Sequence, residues 1–168
     1  MILRNARKID IDMIMKIINE GKDKLKRNNI DQWQNGYPNK EVILNDIENN
    51  ESYVLEHNGN IIGTTALSFN GEKTYDKIYE GKWLSNGNYA VIHRIAVTKV
   101  EGLTSIGTEI LKKSEEICLS KGIKNIKIDT HEHNKSMQGL LLKNNYKYCG
   151  VIYLEDGSKR IAFEKELN

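Results

Sequence analysis

The chain has 168 residues, with 25 Lys and Arg against 23 Asp and Glu, and 39% of it is hydrophobic. That length buries a substantial core yet falls short of two full domains, so one domain over residues 1–168 is expected. The net charge of +2 is scattered in both signs, no apolar run reaches membrane-spanning length, and the N-terminus carries no apolar signal segment, which argues for a cytoplasmic protein with neither nucleic-acid nor membrane partner.

Ile2 to Arg7 predicts a short edge strand, and Ile9, Met13, Ile17 and Ile18 recur at helical spacing through about Lys26. A polar loop from Asn28 to Asn39 holds Trp33, Tyr37 and Pro38, and a second helix is expected over Lys40 to Ile47. Tyr53 to Glu56 and Asn60 to Phe69 flank Asn58-Gly59, the residue pair that a tight hairpin turn favours. After a long connection comes Tyr89 to Val97, a strand, then a glycine-containing turn from Lys99 to Thr108 that runs into a helix over Glu109 to Cys118. Ile123 to Asp129 alternates as a strand, and a helix led by Asn134 runs through Met137, Leu140, Leu141 and Lys143. Tyr146 to Leu154 and Ser158 to Glu166 read as two closing strands joined at Asp156-Gly157. Cys118 and Cys149 are too few and too far apart for a disulfide framework and are expected as reduced thiols.

The turn before the third helix carries chemistry. A helix leaves its first N–H groups without intrahelical partners and concentrates partial positive charge there, which suits an anion such as phosphate. Gly102 and Gly107 permit a tight approach, and Thr104 or Ser105 can cap the helix. The spacing Gly102-x-x-x-x-Gly107-Thr108 is that of a P-loop without its lysine, so a triphosphate clamp is excluded. Two glycines five apart also fail the dinucleotide fingerprint. His131-Glu-His133 has no third ligand nearby, and no metal is expected.

From Ala90 to Tyr146 the chain resembles the GNAT superfamily of acyl-CoA-dependent N-acetyltransferases. That family has a hydrophobic strand, an Arg/Gln-x-x-Gly-x-Gly/Ala loop opening a helix, another strand, and a helix of the pattern Asn-x-x-(small or apolar)-x-x-Leu-Tyr-x-Lys-x-Gly-Phe. Asn134, Met137, Leu140, Lys143 and Tyr146 match at the right spacing, as does Gly107. Gly102 and Ser105 depart from the loop pattern; Leu141 stands where many members have the tyrosine that protonates the leaving thiolate, and Asn145 replaces a glycine.

The resemblance implies an α/β fold, a mixed and mostly antiparallel twisted sheet of six or seven strands flanked by about four helices, with the central strands splayed at the CoA site. It implies acetyl transfer from acetyl-CoA to a primary amine of a small molecule or peptide by direct attack, with no metal. The main chain of Ile95, Ala96 and Val97 would meet the thioester and pantetheine; Gly102, Leu103, Thr104, Ser105, Ile106, Gly107 and Thr108 would cradle the pyrophosphate; Asn134 would bind the pantetheine arm and Lys143 a CoA phosphate. His93, two residues before Ile95, carries an imidazole, a side-chain type suited to taking a proton, and is the candidate base, ahead of Tyr89 and Glu80. Ser136, Tyr146 and Tyr148 are the nearby candidate acids. Trp33, Tyr37, Glu80 and Trp83 are expected to line the acceptor site, although aromatics also anchor long loops. A silent acyl-CoA-binding module is the alternative reading, a modifier of one partner protein is a third, and the last strands would allow a homodimer wherever they leave a sheet edge exposed.

Overall fold

The computed structural model of the chain describes residues 1–168. The strands are β1 (Ile2–Asn5), β2 (Ser52–His57), β3 (Asn60–Ser68), β4 (Ala90–Val97), β5 (Asn125–His131), β6 (Lys147–Tyr153) and β7 (Lys159–Glu166). The helices are α1 (Ile11–Arg27), α2 (Lys40–Glu48), α3 (Ile106–Ser120) and α4 (Lys135–Lys143), with short 3₁₀ turns at Lys8–Asp10 and Lys73–Tyr75. The seven strands form one mixed sheet, parallel where β4 meets β5 and antiparallel at β1–β2, β2–β3, β5–β7 and β6–β7. Two compact units are distinguished: Met1–Leu67 with Arg94–Ser114, and Ser68–His93 with Glu115–Asn168.

In the first unit, successive residues of β2 point to opposite faces, as the strand pleat requires. Val54 packs with Ile11, Ile14, Ile17 and Ile18 of α1 and Ile43 and Ile47 of α2, whereas Leu55 packs with Ile62 and with Ile106 and Ile110 of α3. The apolar stripe of α1 differs from the expected one. Ile17 and Ile18 are buried as anticipated, but Ile9 and Met13 are 83% and 40% exposed and Ile11 and Ile14 take their places. The helix starts at Ile11 rather than Ile9, and at about 100° per residue Met13 lies far round from Ile11 and Ile14. Asn39 caps α2 by accepting from the Val42 N–H at 3.0 Å. Asn58 and Gly59 both take positive φ, 49° and 75°, which is the geometry of the predicted hairpin turn.

In the second unit β7 lies between β5 and β6. The middle of the outer strand β6 is covered by Tyr79, which exchanges both main-chain hydrogen bonds with Val151 at 2.8 and 2.7 Å. The core here gathers Tyr75, Val91, Ile152 and Ala162, flanked by Ile78, Trp83, Tyr89 and Leu154. Cys118 and Cys149 are free and buried, and burial pushes their thiols up to about 12 and about 11. Both are held in the unreactive thiol form.

Gly81 is fixed by close backbone approach. A Cβ there would overlap the main-chain carbonyl of Cys149 on β6, an atom that cannot rotate away. Gly81→Ala is expected to lower stability by about 2 kcal/mol or more through overpacking, read as a drop in the denaturation midpoint; an unchanged midpoint would show that residues 79–81 can lift from β6 without cost.

Candidate active site

The phosphate-cradle turn lies in the first unit. The chain leaves β4, turns at Val100–Leu103, where the Leu103 N–H reaches the Val100 carbonyl at 3.2 Å, and enters α3. Val100 and Leu103 hold the turn by packing against the cluster of Leu55, Ile62, Ile106 and Ile110. Ser105 occupies the N-cap position, its carbonyl accepting from the Glu109 N–H at 3.2 Å, and its φ is +61°. Gly102 has φ +75°, and nothing lies within 4 Å of where its Cβ would be. The main chain therefore turns twice through the left-handed region before α3, whose first N–H groups, from Ile106, Gly107 and Thr108, need acceptors from outside the helix.

Upstream of that turn, β4 is irregular. Arg94 has φ +54° in the middle of a strand, which interrupts the uniform two-residue alternation expected from Tyr89 to Val97. Ile95 packs with the α3 side cluster and Ala96 with the α1 and α2 cluster. The Arg94 guanidinium is 13% exposed and makes a forked pair with Asp46 of α2, Nε to Oδ2 at 3.0 Å and Nη2 to Oδ1 and Oδ2 at 2.8 and 2.7 Å. Its Nη1 donates to the Tyr37 hydroxyl at 2.7 Å. Burial works against this charge, and the Tyr37 oxygen and Asp46 carboxylate more than offset it.

The loop Asn28–Asn39 is tied down at further points. The Trp33 ring lies against Gly21 of α1 near Ala96, and Lys22 Nζ donates to the Pro38 carbonyl at 2.7 Å. Trp33 thus acts here as a loop anchor, whereas Tyr37 stays 41% exposed.

In the second unit, the ladder between β4 and β5 joins Ala90 to Ile126 and Val91 to Lys127, while β5 stays paired with β7 as far as His131. Just past those rungs is His93, whose Nε2 lies 3.5 Å from Glu72 Oε2. Glu72 also accepts from the Thr74 N–H at 3.3 Å and hydroxyl at 3.0 Å. The hydrogen bond from His93 above all lowers the Glu72 carboxyl from 4.5 to about 2. Close by, Tyr75 donates to Asp129 at 2.6 Å, with Arg160 Nε 4.0 Å from the same carboxylate. Burial pushes Asp129 upward against that hydrogen bond, and pushes the Tyr75 phenol up as well. Trp83 donates from Nε1 to the Tyr75 carbonyl at 2.9 Å, and its ring with that of Tyr89 encloses Lys127 Nζ at 4.4 and 3.9 Å. Lys127 is buried and its pKa lowered by that burial. Trp83 is therefore part of the packed wall, and Glu80 is exposed.

Asn134 sits at the start of α4, where its Oδ1 accepts from the Met137 N–H at 3.1 Å. Lys143 is exposed on the last turn of that helix, and Leu141 is fully buried. The Tyr146 hydroxyl is also enclosed, with no hydrogen-bond partner in good geometry, and burial and the nearby Glu115 hold its pKa far up. Of the candidate acids, Ser136 and Tyr148 are the exposed ones. His131 Nδ1 accepts from the His133 N–H at 3.0 Å and Glu132 pairs with Lys159 at 3.3 Å, so that motif is engaged in turn and surface contacts. No group of three or more His, Cys, Asp or Glu side chains is placed to hold a metal ion.

The model of the Acetyltransferase (GNAT) family matches residues 19–146. The chain belongs to the GNAT acetyltransferase family. A GNAT-family acetyltransferase of Streptococcus agalactiae is 34% identical, with a TM-score of 0.83 over 99% of this chain and 95% of that one. A putative acetyltransferase of Staphylococcus aureus is 25% identical over the whole of both chains, TM-score 0.75. A GNAT-family acetyltransferase of Listeria monocytogenes, 19% identical over 99% of this chain and 94% of that one with a TM-score of 0.76, shares the fold. No curated protein sequence matches the chain. No helix is long and apolar enough to cross a membrane.

GNAT proteins generally use acetyl-CoA, and the loop pattern of the family now has a physical reading in this chain. Ser105 stands where the pattern has glycine, and its left-handed φ is the conformation glycine adopts without a Cβ penalty. Gly102, where the pattern has arginine or glutamine, offers no side chain to a phosphate, so the residues present fit an anion through main-chain N–H groups alone. Four residues escaped the sequence reading. Asp46 and Arg94 meet only by folding; Glu72 lies in an irregular connection; and Asp129 gave one weak signal, a carboxylate within a strand of alternating isoleucines.

Replacing Ser105 by glycine removes the left-handed penalty and is expected to raise stability by about 0.5–1 kcal/mol with CoA affinity retained. Ser105→Val should lower both. Denaturant midpoints and CoA titration check this, and a stabilising valine would refute the conformational assignment.

Proposed function

We propose that this GNAT protein is an N-acetyltransferase that moves the acetyl group of acetyl-CoA to a primary amine. The observation that carries the reading is the strand-turn-helix passage from Ile95 to Thr108, in which a left-handed Ser105 opens a 15-residue helix directly behind β4. Acetyl-CoA supplies the activated acyl group, a thioester carbonyl with a thiolate leaving group. In this reading Leu103 to Thr108 bind the pyrophosphate through N–H groups, Ile95 to Val97 hold the thioester arm by main-chain contacts, and Asn134 and Lys143 contact the pantetheine and a phosphate. Asn134 then has two duties, because its Oδ1 already caps α4.

His93 takes the proton from the attacking amine, directly or through a water, and Glu72 holds the imidazole so that the ring nitrogen facing away from the carboxylate is the one that accepts. Tyr37, Glu80, Trp33 and Trp83 are the acceptor contacts of the reading; Tyr37 and Glu80 are exposed, and Trp33 and Trp83 are half-buried. An acyl-CoA-binding module without turnover is the competing reading, and the specific observation in its favour is Leu141, a buried side chain that cannot donate a proton where many relatives have tyrosine.

Calorimetric titration with acetyl-CoA and CoA, followed by thiol release over a panel of amines, decides between them. The expected result is binding with thiol release, and His93→Ala with release reduced by about 10²–10⁴-fold at unchanged CoA affinity. Absence of CoA binding at millimolar concentration would end the acyl-CoA reading; binding without release would favour the silent module.

The Glu72 carboxyl adds a pH prediction. Its folded-state value of about 2 lies below 4.5, so the stability it contributes is present above pH 4.5 and is lost as pH falls toward 2. Glu72→Gln should therefore be less stable than the parent above pH 4.5, with the difference closing as pH falls through that window. A difference independent of pH would rule out the hydrogen bonds from His93 and Thr74 to the Glu72 carboxylate as its source.

A further inference from the structure

We propose that Arg94 is a positioning residue that locks the acceptor loop Asn28–Asn39 to the main chain of Ile95–Val97. The proposal rests on the functional reading above for the roles of that loop and strand. Its own basis is the geometry within the first unit. An arginine in the left-handed region is uncommon, because the Cβ crowds the backbone, and it persists only where surrounding contacts over-determine it. Here they do. The guanidinium forks onto Asp46, which is 6% exposed, and extends its remaining arm to the hydroxyl of Tyr37. One side chain thereby joins three pieces of chain: the start of the Ile95–Val97 segment, α2, and the loop that precedes α2.

The chemistry of the pair explains why lysine is not equivalent. A planar guanidinium serves two carboxylate oxygens and a third acceptor at fixed angles, whereas an ammonium is a point donor. The loop also has anchors elsewhere, Trp33 against α1 and the Pro38 carbonyl on Lys22, so its fold does not rest on Arg94 alone. What Arg94 adds is register. The Tyr37 hydroxyl is fixed with respect to the residue that immediately precedes the thioester-contacting main chain, and a shift of the order of 1 Å in such a relation costs about a hundredfold in rate in well-positioned sites. The loop and the strand thus move as one piece or lose register together.

The test compares Tyr37→Phe, Arg94→Lys and the double variant, none of which removes the Trp33 or Lys22 anchors. Hydrogen exchange of residues 31–39 is measured in the absence of ligand, where a direct substrate contact by Tyr37 has no effect. Exchange is expected to speed up about tenfold in each single variant and no further in the double, because both changes break the same link. In thiol-release assays the KM for the amine is expected to rise about tenfold with CoA affinity unchanged. Unchanged exchange, or effects that add in the double variant, overturns the proposal. Faster exchange with an unmoved amine KM overturns it as well, since the link then serves stability alone. If the parent protein releases thiol with no amine, the acetyl-transfer reading is what fails, and the exchange measurement still decides whether Arg94 holds the loop.

Discussion

The first unit depends on the ion pair between Arg94 and the buried Asp46. Arg94 is carried into a low-dielectric setting at a point where the strand backbone is itself in an unfavourable conformation, and each of these costs is tolerable only because the guanidinium is fully paired. Asp46 sits on the inward side of α2 beside Ile43 and Ile47, so the helix is held to β4 by an ion pair set within an apolar contact. A partner of the wrong length or shape at either end would leave a charge stranded, which is far more damaging than the pair is stabilising. The strand irregularity, the seat of α2 and the course of the preceding loop are therefore one solved problem.

The second unit meets a related demand with different means. Its long connection, residues 69–89, has little regular structure and must satisfy its backbone where it meets β5, β6 and β7. Glu164, completely buried on β7, accepts from the Leu84 N–H at 2.7 Å and from the Ser85 hydroxyl. Trp83 closes onto the Tyr75 carbonyl, the phenol of Tyr89 accepts from the Glu72 N–H at 3.2 Å, and Lys127 is covered by two aromatic rings. These contacts hold in place the segment that carries Glu72 against His93. Aromatic residues that looked like a substrate wall in the sequence are in good part the fastening of this segment.

Ordinary motif reasoning explains the family's loop glycine and the exception to it. Ser105 is in the left-handed region because α3 is entered from a tight turn, not because serine prefers it. Small size is what the position demands, and serine meets that demand with some strain. Asn134 shows the converse: the residue that the family pattern associates with the cofactor also caps α4, so its presence by itself does not separate a binding role from a structural one. The buried Leu141 and Tyr146 place two of the motif positions in the core, where leucine has no proton to donate and the Tyr146 hydroxyl is enclosed.

The order of elements, the hairpin at Asn58-Gly59, the helix entered from the Lys99–Thr108 turn, and the family were legible in the sequence, because these depend on local periodicity, turn chemistry and short spacing. The sequence singled out His93 by its place two residues before Ile95 but gave no sign of Glu72 beside it. It misjudged the buried stripe of α1, since Ile9 and Met13 satisfy helical spacing as well as Ile11 and Ile14 do, and only the position of the sheet chooses between the two phases. Glu72 beside His93, Asp46 and Tyr37 on Arg94, and Tyr75 on Asp129 were decided by tertiary structure alone. Their partners lie 21, 48, 57 and 54 residues away in sequence, as the numbering gives them, and no local pattern encodes which distant carboxylate or hydroxyl a folded chain will bring to a buried charge.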